Sequence, residues 1–475
     1  MTEAMTKLLG AGMKCVIIGA GPTGLVLGMG LARRGHLVTI VERDAGPHAD
    51  GTWRRQGVMQ FHHAHAVRPQ VGAVLLAEAP TAYERVLEAG AEPVTTMLPD
   101  GSSMSGWLRC RRSTLERAIR EAALATPGLT LRQGHVQRVI AHGRRASGVR
   151  VDGSEVAADL IVDASGRMGR VSQQWRERSY LGGDTGIAYV DRQYQLRPGA
   201  EPGPLSTGTA WVQDFVGFQV FVMLNEHGIF SVVLARPADD FQLRGLRHES
   251  AYDAACRAIP GLATWTDSRR AKPITPVLAG GRLLNHYRSQ RGPDGDLALS
   301  GLLFAGDAVA TTTPIFGRGL ATSLVQVREL LRLCDMYGSD LTSAGEEFDA
   351  WCDANMRPWV QDHVHMDEAR RRRWAGEAID LTERVPSDLI LAAIPADPRI
   401  GEAVAPYISM SALPSCLDPV EPRARAVYES GWRPSLPSHP TRDDVAAIVA
   451  QHQLAHDSEV DRVAAIDQSR LEDAG

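Results

Sequence analysis

Near the amino terminus a β-branched run, a glycine turn and an apolar stretch follow one another in CVIIGAGPTGLVLGMGLARRGHLVTIVER, residues 15–43. Hydropathy alone would allow a membrane helix, but the placing of the six glycines argues for strand, turn and helix. Gly19, Gly21 and Gly24 read G-x-G-x-x-G directly after the strand-like residues 16–18 and ahead of the helix-like residues 25–34. The first glycine permits a tight turn, the second lets backbone approach a pyrophosphate, and the third allows helix to pack closely on strand. The phosphates then sit on the helix N-terminus. A second strand over 36–41 delivers Glu42, where a carboxylate takes ribose hydroxyls. The segment is a β-α-β unit of a dinucleotide-binding fold.

At 475 residues and 44% hydrophobic content the chain can build two or three domains with a sizeable core. Its 51 basic and 56 acidic side chains give a formal charge of -5, which points to small-molecule chemistry rather than to nucleic acid or an anionic membrane. Six cysteines, at 15, 110, 256, 334, 352 and 416, have no C-x-x-C spacing and read as unpaired. MTEAMTKLLGAGMK reads as a short polar lead-in with no signal-peptide core, so a reducing, cytoplasmic setting without a membrane span is expected.

After the first unit, residues 46–70 form an irregular loop rich in Arg and His, followed by helical periodicity over 71–90. The stretch 108–128 reads as a strand end turning into an amphipathic helix, with Leu115, Ile119, Ala122 and Ala123 on one face and Pro127-Gly128 as the stop. Short alternating strands over 129–158 suggest a small antiparallel sheet, and 160–163 returns to the core. Residues 180–275 are strand-rich, a β-type second domain. The strand, polar turn and helix of GLLFAGDAVATTTPIFGRGLATSLVQVRELLRLC then resume the first domain. The expected division is a discontinuous cofactor domain over 1–179 and 276–340, a β-rich substrate domain over 180–275, and a helical region over 341–475. In that last region RRRR at 370–373 reads as a solvated helix face.

Three segments, the glycine turn with Glu42, DLIVDASGRMGR at 159–170 and LLFAGDAVATTTPIFGRGL at 302–320, together resemble the flavoprotein monooxygenase superfamily, the para-hydroxybenzoate hydroxylase-like FAD proteins. The resemblance implies an α/β fold. A Rossmann-like FAD-binding domain of the glutathione reductase and para-hydroxybenzoate hydroxylase type would carry an inserted, mainly β substrate domain and a carboxy-terminal helical region. It also implies that Asp307, after Gly306, holds the ribityl hydroxyls, and that Pro314, Gly317, Gly319 and Leu320 face the pyrimidine edge of the flavin. Gly19, Gly21, Pro22 and Gly24 would cradle the pyrophosphate, Glu42 and Arg43 would flank the ribose, and Arg112, from an R-x-x-L helix start, would lie beside the pyrophosphate, with Arg111 as the fallback and a surface arginine at a helix start as the alternative. Within the superfamily RRQGVMQFHHAH, 54–65, is similar to a segment of bacterial polyether-type alkene epoxidases and, more remotely, squalene epoxidase. This chain departs from that branch at Met59 for proline, at Phe61-His62, and at Arg318 for glutamine.

What the resemblance implies chemically is an FAD-dependent monooxygenase, an epoxidase or hydroxylase. It would transfer one oxygen atom of a flavin hydroperoxide, derived from O2, to a hydrophobic secondary metabolite. The alternative is an FAD-dependent reductase or dehydrogenase of a prenyl or polyketide substrate. Electrons would come from NAD(P)H or from a partner flavin reductase, and D-A-S-G in place of the D-G of aromatic hydroxylases favours the latter. Candidate catalytic residues are Arg54, His63 and His65, one imidazole donating toward the flavin or its peroxide, with hydrogen-bonded packing of the loop as the alternative. The H-x-H pair lacks a third ligand at usable spacing, so no metal is expected. Trp211, Phe215, Phe218, Phe221 and Phe230 are the candidate substrate-pocket aromatics, with core packing as the alternative. Nothing in the sequence fixes the oligomeric state.

Overall fold

Strand Lys14–Ile18 is buried along nearly its whole length and sits at the centre of a five-stranded sheet. The order across that sheet is Leu302–Phe304, Leu160–Asp163, Lys14–Ile18, Leu37–Glu42, Leu129–Gln133, and every pairing is parallel. Parallel strands covered on both faces need continuous apolar runs, which VII, LVTIV and LIV supply. These features come from a computed structural model, which describes residues 12–171, 173–176 and 181–452. The polar lead-in up to residue 11 and the end of the expected helical region, 453–475, lie outside the described residues.

The glycines of the first helix, Pro22–Arg33, have steric causes. A Cβ on Gly24 would lie 2.0 Å from Gly19 O, one on Gly28 2.7 Å from Ile40 Cδ1, and one on Gly30 2.4 Å from Leu331 Cδ1. The helix therefore lies against its own turn, the second strand and the helix Gly319–Tyr337 at distances that only glycine permits. Helix Arg112–Leu124 buries Leu115, Ile119, Ala122 and Ala123, the face its periodicity predicts. Val136–His142, Arg145–Val151 and Ser154–Ala157 form the small antiparallel sheet. The periodic stretch 71–90 is two helices, Pro69–Glu78 and Pro80–Glu88, because Pro80 cannot continue the first.

The chain divides into two compact units. One holds the described residues up to Thr185 with Leu284–Met366 and Leu381–Trp432; the other holds Gly186–Leu283, Asp367–Asp380 and the described residues from Arg433. The helical carboxy-terminal region is thus shared between them, and helix Arg357–Trp374 contributes its residues to both.

The second unit is an antiparallel sheet in the order Ala210–Phe215, Phe218–Leu224, Ile229–Pro237, Ile187–Leu196, Ala271–Pro273. Alternation along these strands sends Phe215, Phe218, Val220, Val222, Phe230, Val232 and Leu234 to one face, where they form a core with Tyr252, Trp265, Val445 and Val449. This corrects the pocket expectation for Phe215, Phe218 and Phe230. Phe215 stacks on Phe218 at 4.5 Å, and Phe230 packs on Tyr194 at 5.3 Å and on Trp265 at 4.9 Å. Trp211 belongs with them, against the bare backbone of Gly261. Phe221 alone of the five lies on the opposite face, paired with Val212 and Val233.

Of the arginine run, Arg370 is buried and pairs with Asp367 at 3.5 Å, so the run is only partly a solvated face. All six cysteines are free. Among the described residues no helix is long and apolar enough to cross a membrane, and no group of three His, Cys, Asp or Glu is placed to hold a metal.

Candidate active site

The site is built on two glycine turns of the first unit. At the first, Gly19 adopts φ +103°, and its N–H donates to Val41 O at 2.8 Å. Gly21 caps the helix Pro22–Arg33 without any side-chain cap, and the first helical bond is Leu25 N–H to Gly21 O at 3.0 Å. The N–H groups of Thr23 and Gly24 thus precede the helical ladder, and a Cβ at Gly21 would enter open space. The strand Leu302–Phe304 ends beside this turn. Gly306, at φ +70°, lies so close to Thr23 that a Cβ would come within 2.6 Å of its hydroxyl, and Gln326 accepts the Gly306 N–H at 2.9 Å. Asp307 follows. The Ser323 hydroxyl donates to its carboxyl at 3.4 Å, and burial raises its pKa against the opposing pull of Arg112 and Arg167.

From Glu42 inward runs a chain of charges. Glu42 Oε2 accepts Ala20 N–H at 2.9 Å and Arg55 Nη2–H at 2.6 Å, while Oε1 accepts Asp44 N–H at 3.0 Å. Arg55 also reaches Glu116 at 2.5 Å, and the other oxygen of Glu116 takes Arg112 Nε–H at 2.5 Å. Arg112 Nη1 lies 3.0 Å from His65 Nε2. A guanidinium can only donate, so His65 Nε2 is the acceptor and its proton sits on Nδ1, directed at His63 O at 3.0 Å. Burial and the guanidinium pull the His65 pKa down to about 3. This corrects the expectation that His65 donates toward the flavin: both ring nitrogens are committed, and the residue positions Arg112. Arg54 is exposed, so the inward arginine of the pair is Arg55. His63 is buried. Arg43 is exposed and lies over Gly57.

The second turn spans Pro314–Phe316 and Gly317, whose φ is +59° and whose N–H donates to Pro314 O at 2.8 Å. A Cβ on Gly317 would lie 2.4 Å from that of Ala66, next to His65, so this turn abuts the histidine loop. Pro314 is exposed and Leu320 is partly buried against the core. Gly319 opens the helix Gly319–Tyr337 with open space at its Cβ position, and the first helical bond is Thr322 N–H to Arg318 O at 3.0 Å. Arg318 turns inward, 1% exposed. It sits between the rings of Phe316, Trp359 and Tyr407 at 4.5–5.1 Å, donates to His363 Nε2 at 3.1 Å, and lies 3.5 Å from Asp362.

Comparison with known proteins fits this geometry. Residues 14–102 match the family model of the FAD dependent oxidoreductases. PqsL, described as a probable FAD-dependent monooxygenase from Pseudomonas aeruginosa, superposes with a TM-score of 0.56 at 19% identity, over 77% of this chain and 99% of its own. A triple mutant of the flavin-dependent brominase Bmp2 gives 0.56 at 16% identity over 94% and 99%, and the myxobacterial chondrochloren halogenase CndH 0.55 at 17% over 87% and 97%. The fold is that of the FAD-dependent monooxygenases and halogenases. By sequence, the NAD-dependent dihydropyrimidine dehydrogenase subunit PreT of Escherichia coli K12 is 45% identical over 62 residues, 13% of this chain and only 14% of that protein.

The two glycine turns, Glu42, Arg112 and Asp307, named from sequence, lie in one unit; Arg55, Glu116, Arg68 and the partners of Arg318 were not named from sequence. One signal was available. Arg112 and Glu116 stand four apart on one helix, a spacing at which opposite charges meet.

Proposed function

We propose that the protein is an FAD-dependent monooxygenase that epoxidises or hydroxylates an apolar small molecule. The observation that carries this reading is the meeting, in one unit of this fold, of two uncapped helix starts with open glycine positions and the under-satisfied carboxyl of Asp307 between them. FAD fits that donor set. Glu42 spends three of its roughly four acceptor positions on the chain's own donors and keeps one for a ribose hydroxyl. The N–H groups of Gly21, Thr23 and Gly24 suit a pyrophosphate, with Arg112 held by Glu116 and His65. Asp307 has one long donor, the Ser323 hydroxyl at 3.4 Å, and ribityl hydroxyls would supply others. A dinucleotide held by these groups would bring its flavin ring toward the Gly317–Gly319 turn, where the N–H groups of Arg318 and Gly319 would stabilise negative charge.

Bound there, FAD would supply the activation of O2. The chain's own part is to hold the cofactor, set the tautomer of His65, and present unpaired amides where charge develops. PqsL, of the same fold, is described in complex with 2-aminobenzoylacetate, which supports a small organic substrate. Electrons would come from a partner flavin reductase or free reduced flavin in preference to direct NAD(P)H.

The test is the absorption spectrum of the purified protein, followed by turnover with labelled O2, a flavin reductase and a panel of alkenes and electron-rich aromatics. The expected result is bound FAD and one labelled oxygen atom per product. Protein that stays colourless after incubation with FAD overturns the cofactor reading. A hydrogenated or halogenated product without labelled oxygen overturns the monooxygenase reading.

A further inference from the structure

Arg68 is buried beneath the second turn, with no ion pair to an acidic side chain among the described residues. Its guanidinium donates to Phe316 O at 2.8 Å, Gly317 O at 3.2 Å and Ile408 O at 2.9 Å, and lies 4.9 Å from the centre of the Trp107 ring. Arg318, buried next to it, brings a second guanidinium. The carboxylate in this group is Asp362, 3.5 Å from Arg318, and it also accepts the Tyr407 hydroxyl at 2.7 Å and the Ser387 hydroxyl at 2.5 Å. His363 adds no charge while it accepts from Arg318. Among the described residues, two guanidinium groups against one carboxylate leave a net positive charge in a buried setting.

The hydrogen bonds also give that charge a direction. By taking the carbonyls of Phe316 and Gly317, Arg68 fixes the orientation of those peptide units. The N–H groups of Arg318 to Ala321 come before the first helical bond, at the end with open space over Gly319. Buried charge and amide donors therefore reinforce each other at one mouth.

We propose that Arg68 is a positioning residue that makes the Gly317–Gly319 turn select the anionic, reduced form of the flavin ring over the neutral oxidised form. The proposal rests on the reading that this turn holds the flavin. What Arg68 sets is then thermodynamic, the electron affinity of the bound cofactor.

Sulfite adds to oxidised flavin and leaves an anionic ring, so its affinity for the holoenzyme reads this selectivity without substrate or turnover. Sulfite titrations, followed by bleaching of the flavin absorbance, and redox titrations would compare the wild type with Arg68→Met, Arg68→Lys and Asp362→Asn. Removing one unit charge from an interior of effective dielectric constant about 20 should weaken sulfite binding roughly tenfold to a hundredfold in Arg68→Met. The reduction potential should fall by about 30 mV for each tenfold change. Arg68→Lys, which keeps the charge and loses the two-carbonyl clamp, should recover most of the affinity. Asp362→Asn, which removes the balancing carboxylate, should shift both readings in the opposite direction. Arg68→Met that keeps its flavin and binds sulfite within twofold of wild type overturns the proposal, as does Arg68→Lys that matches Arg68→Met. Should Arg68→Met fail to fold, Asp362→Asn with unchanged or weakened sulfite binding overturns it alone. Wild-type protein that takes up no FAD overturns the underlying reading, and this proposal with it.

Discussion

Replacing Glu116 by glutamine is the sharpest test of the charge chain, because the side chain is isosteric and wholly buried, 0% exposed. In the native chain Glu116 serves two arginines, Arg55 and Arg112, at 2.5 Å each. Arg55 keeps a carboxylate after the change, since Glu42 remains at 2.6 Å. Arg112 keeps no hydrogen-bonded carboxylate: its other hydrogen-bond partner is the imidazole of His65, neutral in this geometry. The loss therefore falls on one nearly buried guanidinium, 13% exposed. Stranding a buried charge costs about 3–5 kcal/mol, and the surviving amide oxygen and residual solvent contact place this case at the lower end, about 3 kcal/mol. Urea unfolding of the apoprotein, followed by fluorescence, would read it. Trp53 is a suitable probe, with Arg55 lying 5.4 Å from the centre of its ring. Combining Glu116→Gln with Arg55→Met should give less than the sum of the single effects, by roughly 0.5–3 kcal/mol, because the two side chains share a contact. A single-variant effect under about 0.5 kcal/mol, or strict additivity, would refute the ionised chain described here.

Three further outcomes follow from the geometry. The His65 pKa falls from 6.5 to about 3 on folding, so the unfolded chain takes up the proton first and stability is lost as pH drops from about 6.5 toward 3. His65→Gln should flatten the urea midpoint between pH 7 and pH 5, and an equally steep dependence in the variant would assign the effect elsewhere. Asp307→Ala should weaken FAD binding by about 1.5–3 kcal/mol, roughly tenfold to a hundredfold by equilibrium dialysis, and unchanged affinity would remove Asp307 from the cradle. Phe230→Ala should cost about 3–5 kcal/mol in unfolding experiments as a core truncation, whereas a change under about 1 kcal/mol would return Phe230 to a pocket wall.

The legible part of this molecule was the part with strong local grammar. The turn at Gly19–Gly24, the carboxylate ending the second strand and the helix after Arg112 each declare themselves within a few residues, through periodicity or through a backbone shape only glycine adopts. The aromatics at 211–230 were ambiguous for a physical reason. A strand alternates its faces, but nothing in TAWVQDFVGFQVFVML says which face meets the helices, and Phe218 and Phe221 fall on opposite sides. The roles of Arg68, Arg318 and His363 were invisible because their side-chain hydrogen bonds span 45 to 340 residues, and long-range pairing leaves no local trace. Arg54 was named while its buried neighbour Arg55 was not, because in an irregular loop neighbouring side chains have no periodicity to tell inward from outward.

The interleaving of the two units has a consequence for how the chain is made. Phe230 sits in a core completed by Val445 and Val449. In the other unit Tyr407 and Tyr428 are fully buried, at the far end of a chain whose first strand begins at Lys14. At roughly 5–20 residues per second, about 10 to 40 s of synthesis separate Phe230 from Val445. Throughout that interval the sheet's apolar face has the side chains around Tyr252 and Trp265 against it, while the part that Val445 and Val449 complete stays open. Vectorial folding, one unit closing before the next emerges, is denied to this polypeptide. Its yield in a cell-free system should depend on added chaperone, and expression clones ending before Val445 should collect in the insoluble fraction.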